Sequence, residues 1–99
     1  MITLEKLVEN NTYYESKIIY VVNEFKRLFE KMLKDKGIKV YADKEFFSAL
    51  ANKTKIYYPE LEHKINSVVM FYGSEEDSEE KLYYLLKLYK LIKEKVYGK

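Results

Sequence analysis

The chain contains no cysteine and no tryptophan, and it has one proline and three glycines among its 99 residues. The absence of cysteine excludes disulfide frameworks, thiolate zinc sites, cysteine nucleophiles and iron–sulfur clusters. Phosphate-cradling loops need several glycines close together, whereas Gly37, Gly73 and Gly98 are isolated. P-loop and dinucleotide-fold binding are therefore excluded, and the sequence predicts no cofactor.

Long hydrophobic runs and a strong charge of one sign are also missing. No window approaches the roughly 18 uninterrupted apolar residues of a membrane span, and the charged start at Glu5 and Lys6 does not resemble a secretory signal. The 18 basic and 16 acidic residues give a net charge of only +2, far from the excess expected of a dedicated nucleic-acid binder. We therefore expect a soluble intracellular protein without a membrane partner, and nucleic acid is not the first partner expected.

The hydrophobic content is high enough for one core. Hydrophobic residues make up 47% of the chain, which suffices without metal or disulfide support. No internal repeat and no linker rich in proline, glycine or serine divides the chain. The sequence therefore predicts a single helical domain over residues 1–99.

Three segments carry the pattern of long amphipathic helices, with apolar residues recurring at spacings of three and four. The first covers residues 12–36 and begins with a capping box. Pro59 suits the first turn of a second helix, which Gly73 should end. The third is capped near residues 74–77 and runs to about Tyr97. These segments predict a mainly α fold, a small helical bundle.

Shorter elements are expected around these three helices. A short helix is predicted over residues 3–10, and another runs from an Asp43 N-cap to about Asn52. The residues that this second short helix should bury are Phe46, Phe47 and Leu50. Residues 38–41 alternate in polarity, and residues 54–58 are interpreted as a connector or a second extended piece. A small β-hairpin made from these two extended pieces is the main alternative to an all-helical chain.

The residues that could carry chemistry do not form a convincing site. Glu60 and His63 have the Glu-x-x-His spacing of di-iron bundles, but such a site needs two of these pairs and the chain has one histidine. A solvated histidine near a helix start is the preferred interpretation. No serine lies in a glycine-framed elbow, and the acidic residues at 75–80 fit helix capping. We predict no catalytic or metal-binding residues, and hence no enzyme.

Tyrosine is the most unusual feature, with eleven copies that include three adjacent pairs. Adjacent residues on a helix face different directions, so one member of a pair can be buried while the other stays at the surface. Exposed tyrosine contributes rigid contact area at protein interfaces, although it also substitutes for phenylalanine in ordinary cores. The candidate interaction residues are Tyr57, Tyr58, Tyr83 and Tyr84.

Lysines lie next to one of these tyrosine pairs. Lys53 and Lys55 precede Tyr57 and Tyr58, and such a patch could pair phosphates while its rings stack on bases. Binding of single-stranded nucleic acid is therefore the alternative function, and it would weaken steeply with added salt.

The charged residues are biased in type, since 17 of the 18 basic residues are lysine and Arg27 is the exception. Enrichment in lysine and glutamate with few thermolabile amides indicates a hyperthermophilic source. This amino-acid composition, seen in the tyrosine- and leucine-rich run at 80–90, resembles that of small proteins of crenarchaeal filamentous viruses, the lipothrixviruses and rudiviruses. The resemblance covers the length and composition of the chain, and it transfers no active-site residues. It implies a viral accessory protein in the cytoplasm of a hyperthermophilic archaeal host.

These observations favour a non-enzymatic protein–protein interaction module. Its expected partner is a host or viral protein, which would bind through an exposed helix face that contains tyrosine. Homodimerisation could use the same surface.

Overall fold

The computed structural model describes residues 14–74 and 79–98, and these ranges are largely helical. The α-helices within them are α1 (Tyr14–Asp35), α2 (Phe47–Tyr57), α3 (Glu62–Tyr72) and α4 (Glu79–Tyr97). Two single-turn 3-10 helices lead into α2 and α3, at Ala42–Lys44 and Pro59–Leu61. No β-strand occurs in the described ranges, so the prediction of a mainly α bundle is confirmed and the alternative hairpin is not formed there.

Helix α1 follows the sequence pattern closely and forms the centre of the bundle. Its buried side chains recur at spacings of three and four, from Ile18 to Leu33. The helix stops where predicted, because Gly37 has a φ of +80°, and the backbone N–H of Ile38 donates to the Leu33 carbonyl at 2.9 Å. The predicted capping box at residues 12–15 and the short helix at 3–10 fall wholly or partly outside the described residues.

The predicted start of the second helix was wrong. Asp43 lies in a 3-10 turn instead of capping a helix, and α2 begins only at Phe47. A tertiary contact holds this turn, since the Ala42 backbone N–H donates to the carboxylate of Glu30 on α1 at 2.8 Å. Phe46 is the N-cap residue and its carbonyl accepts from the Leu50 N–H at 3.0 Å. The N-cap contributes no side-chain hydrogen bond, and a cap of this kind leaves no signature in the sequence.

The predicted end of that helix was also wrong, because α2 continues to Tyr57 through most of the segment that the sequence indicates as a connector or a second extended piece. Thr54 is fully buried in it, and its hydroxyl donates to the Leu50 carbonyl one turn earlier at 2.7 Å. That bond satisfies the hydroxyl inside the helix, so a β-branched polar residue fits there. Residues 38–41 do alternate, with Val40 buried and Tyr41 exposed, but no strand pairs with them in the described ranges.

The core is rich in aromatic rings. The Phe25 ring lies 5.8 Å from that of Phe29, 6.3 Å from that of Phe47 and 5.3 Å from that of Tyr89, measured between ring centres. These rings join α1 to α2 and α4, and Leu82, Leu85 and Ile92 add the buried stripe of α4. Tilted and edge-on ring pairs of this kind stabilise a core beyond the area that they bury.

A lysine helps to close the junction between α3 and α4. Lys81 is buried near the start of α4, and its Nζ donates to the Ser74 carbonyl at 2.8 Å and to the Tyr72 carbonyl at 3.4 Å. Carbonyl oxygens at the end of a helix lack hydrogen-bond partners within the helix. The buried ammonium group supplies such partners, and the carbonyl oxygens in turn replace the water that the ammonium group loses on burial. The contact holds the end of α3, where Gly73 stops the helix as predicted, against α4.

Candidate interaction surfaces

The four tyrosines singled out as interaction residues do not form one surface. Tyr57 is 40% exposed and Tyr83 and Tyr84 are 63% and 41% exposed, whereas Tyr58 is 7% exposed. The Tyr58 hydroxyl donates to the Met32 carbonyl of α1 at 2.9 Å, so this side chain belongs to the core. The prediction of Tyr58 as an interaction residue is therefore corrected, because a buried hydrogen bond across the bundle takes up its polar end.

The tyrosine pair on α4 lies partly in a surface that also includes α3. The ring of Tyr84 stacks almost parallel on that of Phe71, with centres 5.2 Å apart and planes inclined by 7°. Leu88 and Leu91 follow Tyr84 at helical spacings of four and seven, and both are partly accessible. We call the surface made by Phe71, Tyr84, Leu88 and Leu91 the α3–α4 edge. It is apolar, but its rings already cover each other.

The lysines of the nucleic-acid alternative already make contacts within the chain. Lys53 pairs with Glu45 at 3.1 Å, and the Lys55 Nζ donates to the Asn66 side-chain oxygen at 2.7 Å. A phosphate would have to compete with both partners. Lys53 and Lys55 are therefore less available to a phosphate than the sequence suggests.

Among the side chains that the structure describes, the most exposed aromatic one is one that the sequence places in the core. Phe46 is 84% exposed, which corrects its prediction as a buried residue, while its neighbour Phe47 is buried. Phe46 borders an open groove of about 390 Å³, which we call the Phe46 groove. Its apolar lining consists of Ile18, Ile19, Val22, Phe46, Phe47 and Tyr72, and its polar lining consists of Asn23, Lys26, Glu45 and Lys81.

The residues that line the groove come from different parts of the chain. Some form a stripe of α1 that starts at Ile19, 56% exposed, and ends two turns later at Lys26. Others lie at the entry to α2, with Glu45 and Phe46, and at the end of α3, with Tyr72. The rings of Tyr72 and Phe47 lie 4.8 Å apart, so this part of the lining is tied to the core.

Contacts before and after Phe46 in the chain fix the position of its backbone. Ahead of it, the 3-10 turn is bonded to Glu30 through the Ala42 N–H, and Glu45 pairs with Lys53. Behind it, the Phe46 carbonyl accepts the Leu50 N–H of α2. The exposed ring therefore stands on an ordered backbone, and ordering that is already present lowers the entropic cost of binding.

Sequence reasoning missed this groove because of where helix α2 begins. Two adjacent phenylalanines, Phe46 and Phe47, cannot both face one core from a regular helix, and the start of the helix decides which one is buried. Ile18 and Ile19 are a second pair of adjacent apolar residues, on α1, and again one of them (Ile18) is buried and the other (Ile19) is exposed. The signal available was the doubling of large apolar residues at both places.

The described residues offer little for metal or membrane chemistry. Glu60 and His63 are both exposed near the start of α3, and no group of three or more metal-ligating side chains occurs within residues 14–74 and 79–98. In the same ranges, no helix combines the length and the apolar character that crossing a bilayer requires.

At the other end of the bundle, Tyr97 joins the last turn of α4 to α1. Its hydroxyl donates to the Asp35 carboxylate at 2.7 Å, and the Lys31 Nζ lies 4.5 Å from the centre of its ring. Burial, the hydrogen bond to Asp35 and the negative charge of Asp35 all raise the pKa of Tyr97 above its ordinary value. Burial is also the first cause of the raised pKa of Tyr58 and of Tyr89.

These raised pKa values predict a loss of stability in alkali. Above pH of about 10 the unfolded chain releases tyrosine protons that the folded chain retains, so the free energy of unfolding falls as the pH rises. Below that pH the contribution is fully present. We expect the Tm to be unaffected by these groups up to about pH 10 and to fall as the pH rises from there, in a series from about pH 9 to 12, and Tyr97→Phe to weaken this dependence because phenylalanine cannot ionise.

The measurement is thermal unfolding by circular dichroism over that pH series. The exposed Tyr83 provides the control, and Tyr83→Phe should keep the dependence of the unmodified chain. Identical pH profiles for Tyr97→Phe and the unmodified chain would contradict the assignment.

Comparison with known proteins adds no relative to this description. The chain matches no family model, no curated protein and no solved structure. Its own geometry is therefore the basis on which a function is proposed.

Proposed function

We propose that this chain is a non-enzymatic protein–protein interaction module and that it binds its partner through the Phe46 groove. The observation that carries the proposal is the 84% exposure of Phe46 on an ordered backbone beside an apolar groove. Full burial of a phenylalanine side chain contributes about 1.5 to 3 kcal/mol, a gain that the chain's own fold leaves almost unused at this position. A partner that covers the ring would realise it.

The composition of the groove supports a protein as that partner. Its lining is mainly apolar and aromatic, and it also contains Asn23, Lys26, Glu45 and Lys81. Protein interfaces combine aromatic anchors with polar and charged groups in this way. The α3–α4 edge is a second apolar surface, but its most exposed ring, Tyr84, is already stacked on Phe71.

The proposal ranks above single-stranded nucleic acid for a reason of charge. Phosphate binding depends on free basic groups, and Lys53 and Lys55 each have a partner within the chain. The Phe46 groove carries charges of both signs, which suits a protein surface better than a phosphate backbone. The composition that resembles proteins of crenarchaeal viruses supports a narrower version of the proposal. In it, the module is a viral accessory protein that meets a host or viral protein in a hyperthermophilic host.

The test is site-directed photo-crosslinking in a crenarchaeal cell extract. Benzoylphenylalanine replaces Phe46 in one sample and Ile56 in another, because Ile56 is 73% exposed at the far end of α2 and lies outside the groove. We expect protein adducts from position 46, whether with another protein or with a second copy, and no comparable adducts from position 56. Equal labelling from both positions, or adducts with nucleic acid alone, would overturn the proposal.

A further inference from the structure

We infer that the occupant of the Phe46 groove is a segment of another protein in which a large apolar side chain adjoins a carboxylate. The inference rests on the proposed function and names the chemistry of the partner at the same site. The apolar part of the lining calls for the apolar side chain, because an exposed ring such as Phe46 is stabilised only when apolar surface covers it. The charged part of the lining decides what adjoins that side chain.

The carboxylate in the lining already has a partner. Among the described residues that line the groove, Glu45 is the only acidic one, and its Oε1 lies 3.1 Å from the Nζ of Lys53. Lys53 itself does not belong to the lining, so it neutralises Glu45 without occupying the groove. A basic group on a partner would have to displace Lys53 in order to pair with Glu45.

The lysine at the end of the α1 stripe is in the opposite position. Within residues 14–74 and 79–98, no ion pair and no hydrogen bond engages the ammonium group of Lys26. Glu24, the nearest carboxylate before it on α1, pairs with Arg27 at 3.4 Å. Glu30, one turn after it, accepts from the Ala42 backbone N–H. A carboxylate on a bound segment therefore complements Lys26, and complementary charge favours that segment over a neutral or basic one.

The rest of the polar lining favours a polypeptide over a phosphate polymer. Asn23 is exposed one turn before Lys26, and its amide can both donate to and accept from a peptide backbone. A strand of nucleic acid needs several available basic groups. Lys81 is the second lysine in the lining, but its Nζ already donates to the carbonyls of Ser74 and Tyr72. One available lysine in a mainly apolar groove suits a segment with one carboxylate beside its apolar side chain.

The first experiment selects binders from a display library of short random peptides on the immobilised full chain. Phe46→Ser and Ile56→Ser chains are used in parallel, because Ile56 is 73% exposed and lies outside the groove. We expect the unmodified and Ile56→Ser chains to enrich peptides in which aspartate or glutamate adjoins a large apolar residue, and Phe46→Ser to lose them. An enriched pool without acidic residues, or no enriched pool, would overturn the inference.

The second experiment tests the pairing with Lys26. Fluorescence anisotropy gives the Kd of a recovered peptide and of its amide version, in which asparagine or glutamine replaces the acidic residue. We expect the amide version to bind the unmodified chain at least about threefold more weakly. Lys26→Glu should weaken binding of the acidic peptide more than binding of the amide version, as a direct pairing requires.

The matched control for Lys26→Glu is Lys90→Glu. Lys90 is exposed on α4 outside the groove, and its substitution changes the net charge of the chain by the same amount. We expect this variant to bind the acidic peptide as the unmodified chain does. Equal losses from the two variants would contradict the inference, because the peptide would then respond to net charge and not to Lys26.

Other occupants give different results. A chain dimer in sedimentation equilibrium that Phe46→Ser abolishes would show that a second copy occupies the groove, which overturns the inference and leaves the proposed function. Peptides that Phe46→Ser loses but that carry no acidic residue would do the same. Displacement of the peptide by oligothymidylate at low salt, or position 46 without specific protein crosslinks, would overturn both.

Discussion

Phe25→Ala is expected to lower the free energy of unfolding by about 3 to 5 kcal/mol. The Phe25 side chain has no exposed surface, and its ring contacts those of Phe29, Phe47 and Tyr89 from three helices. Truncation removes the burial of the ring and leaves a cavity among rigid neighbours that cannot close around it. For a domain of this size, the Tm should drop by more than about 12 °C.

Phe46→Ala is the matched control, since it makes the same chemical change at an exposed position. Its effect should stay within about 0.5 kcal/mol when measured at concentrations at which the chain is monomeric. Thermal and denaturant unfolding of both variants provide the comparison. Similar losses from the two substitutions would show that the assignment of Phe25 to the core and Phe46 to the surface is wrong.

The second large effect is expected at Tyr58, where truncation to alanine should cost about 3 kcal/mol or more. This ring is buried between α1 and α2, its hydroxyl bonds to the Met32 carbonyl, and the Lys36 Nζ lies 4.9 Å from the ring centre. Tyr58→Phe keeps the ring and removes only the hydrogen bond. It should cost about 1 to 2 kcal/mol, because the buried carbonyl then loses its partner.

The adjacent tyrosine provides the control for this series. Tyr57 is exposed, and Tyr57→Ala should change the free energy of unfolding by less than about 1 kcal/mol. Denaturant titrations of the three variants give the values. A larger effect at Tyr57 than at Tyr58 would contradict the arrangement of this pair.

The helical character of the chain and the limits of its longer helices could be predicted from the sequence. The spacing of apolar residues indicated α1 and α4, and Pro59 and Gly73 marked the limits of the helical region around α3. These signals are local, because the helical period and the backbone preferences of proline and glycine act within a few residues. They remain valid whatever the helices pack against.

The start of α2 could not be predicted in this way. Asp43 has the chemistry of an N-cap, but a hydrogen bond from Ala42 to Glu30, twelve residues earlier, holds the backbone in a 3-10 turn instead. At its other end the helix continues through Thr54, whose β-branched side chain weakens a prediction of helix. Here tertiary contacts outweighed local preferences that differ by only fractions of a kcal/mol.

The candidate site depends on the same decision. Because α2 begins at Phe47, the Phe47 side chain is buried in the core and Phe46 lies outside it, beside residues of α1 that are distant in the sequence. The sequence by itself determined a mainly helical bundle and its doubled aromatic residues, because periodicity and composition are properties of short segments. Only the tertiary structure decided that Phe47 and Tyr58 are buried beside exposed neighbours, whereas Tyr83 and Tyr84 are both exposed. Successive side chains of an α-helix point about 100° apart, so two adjacent residues face different directions, and contacts between distant segments select which of them faces the core.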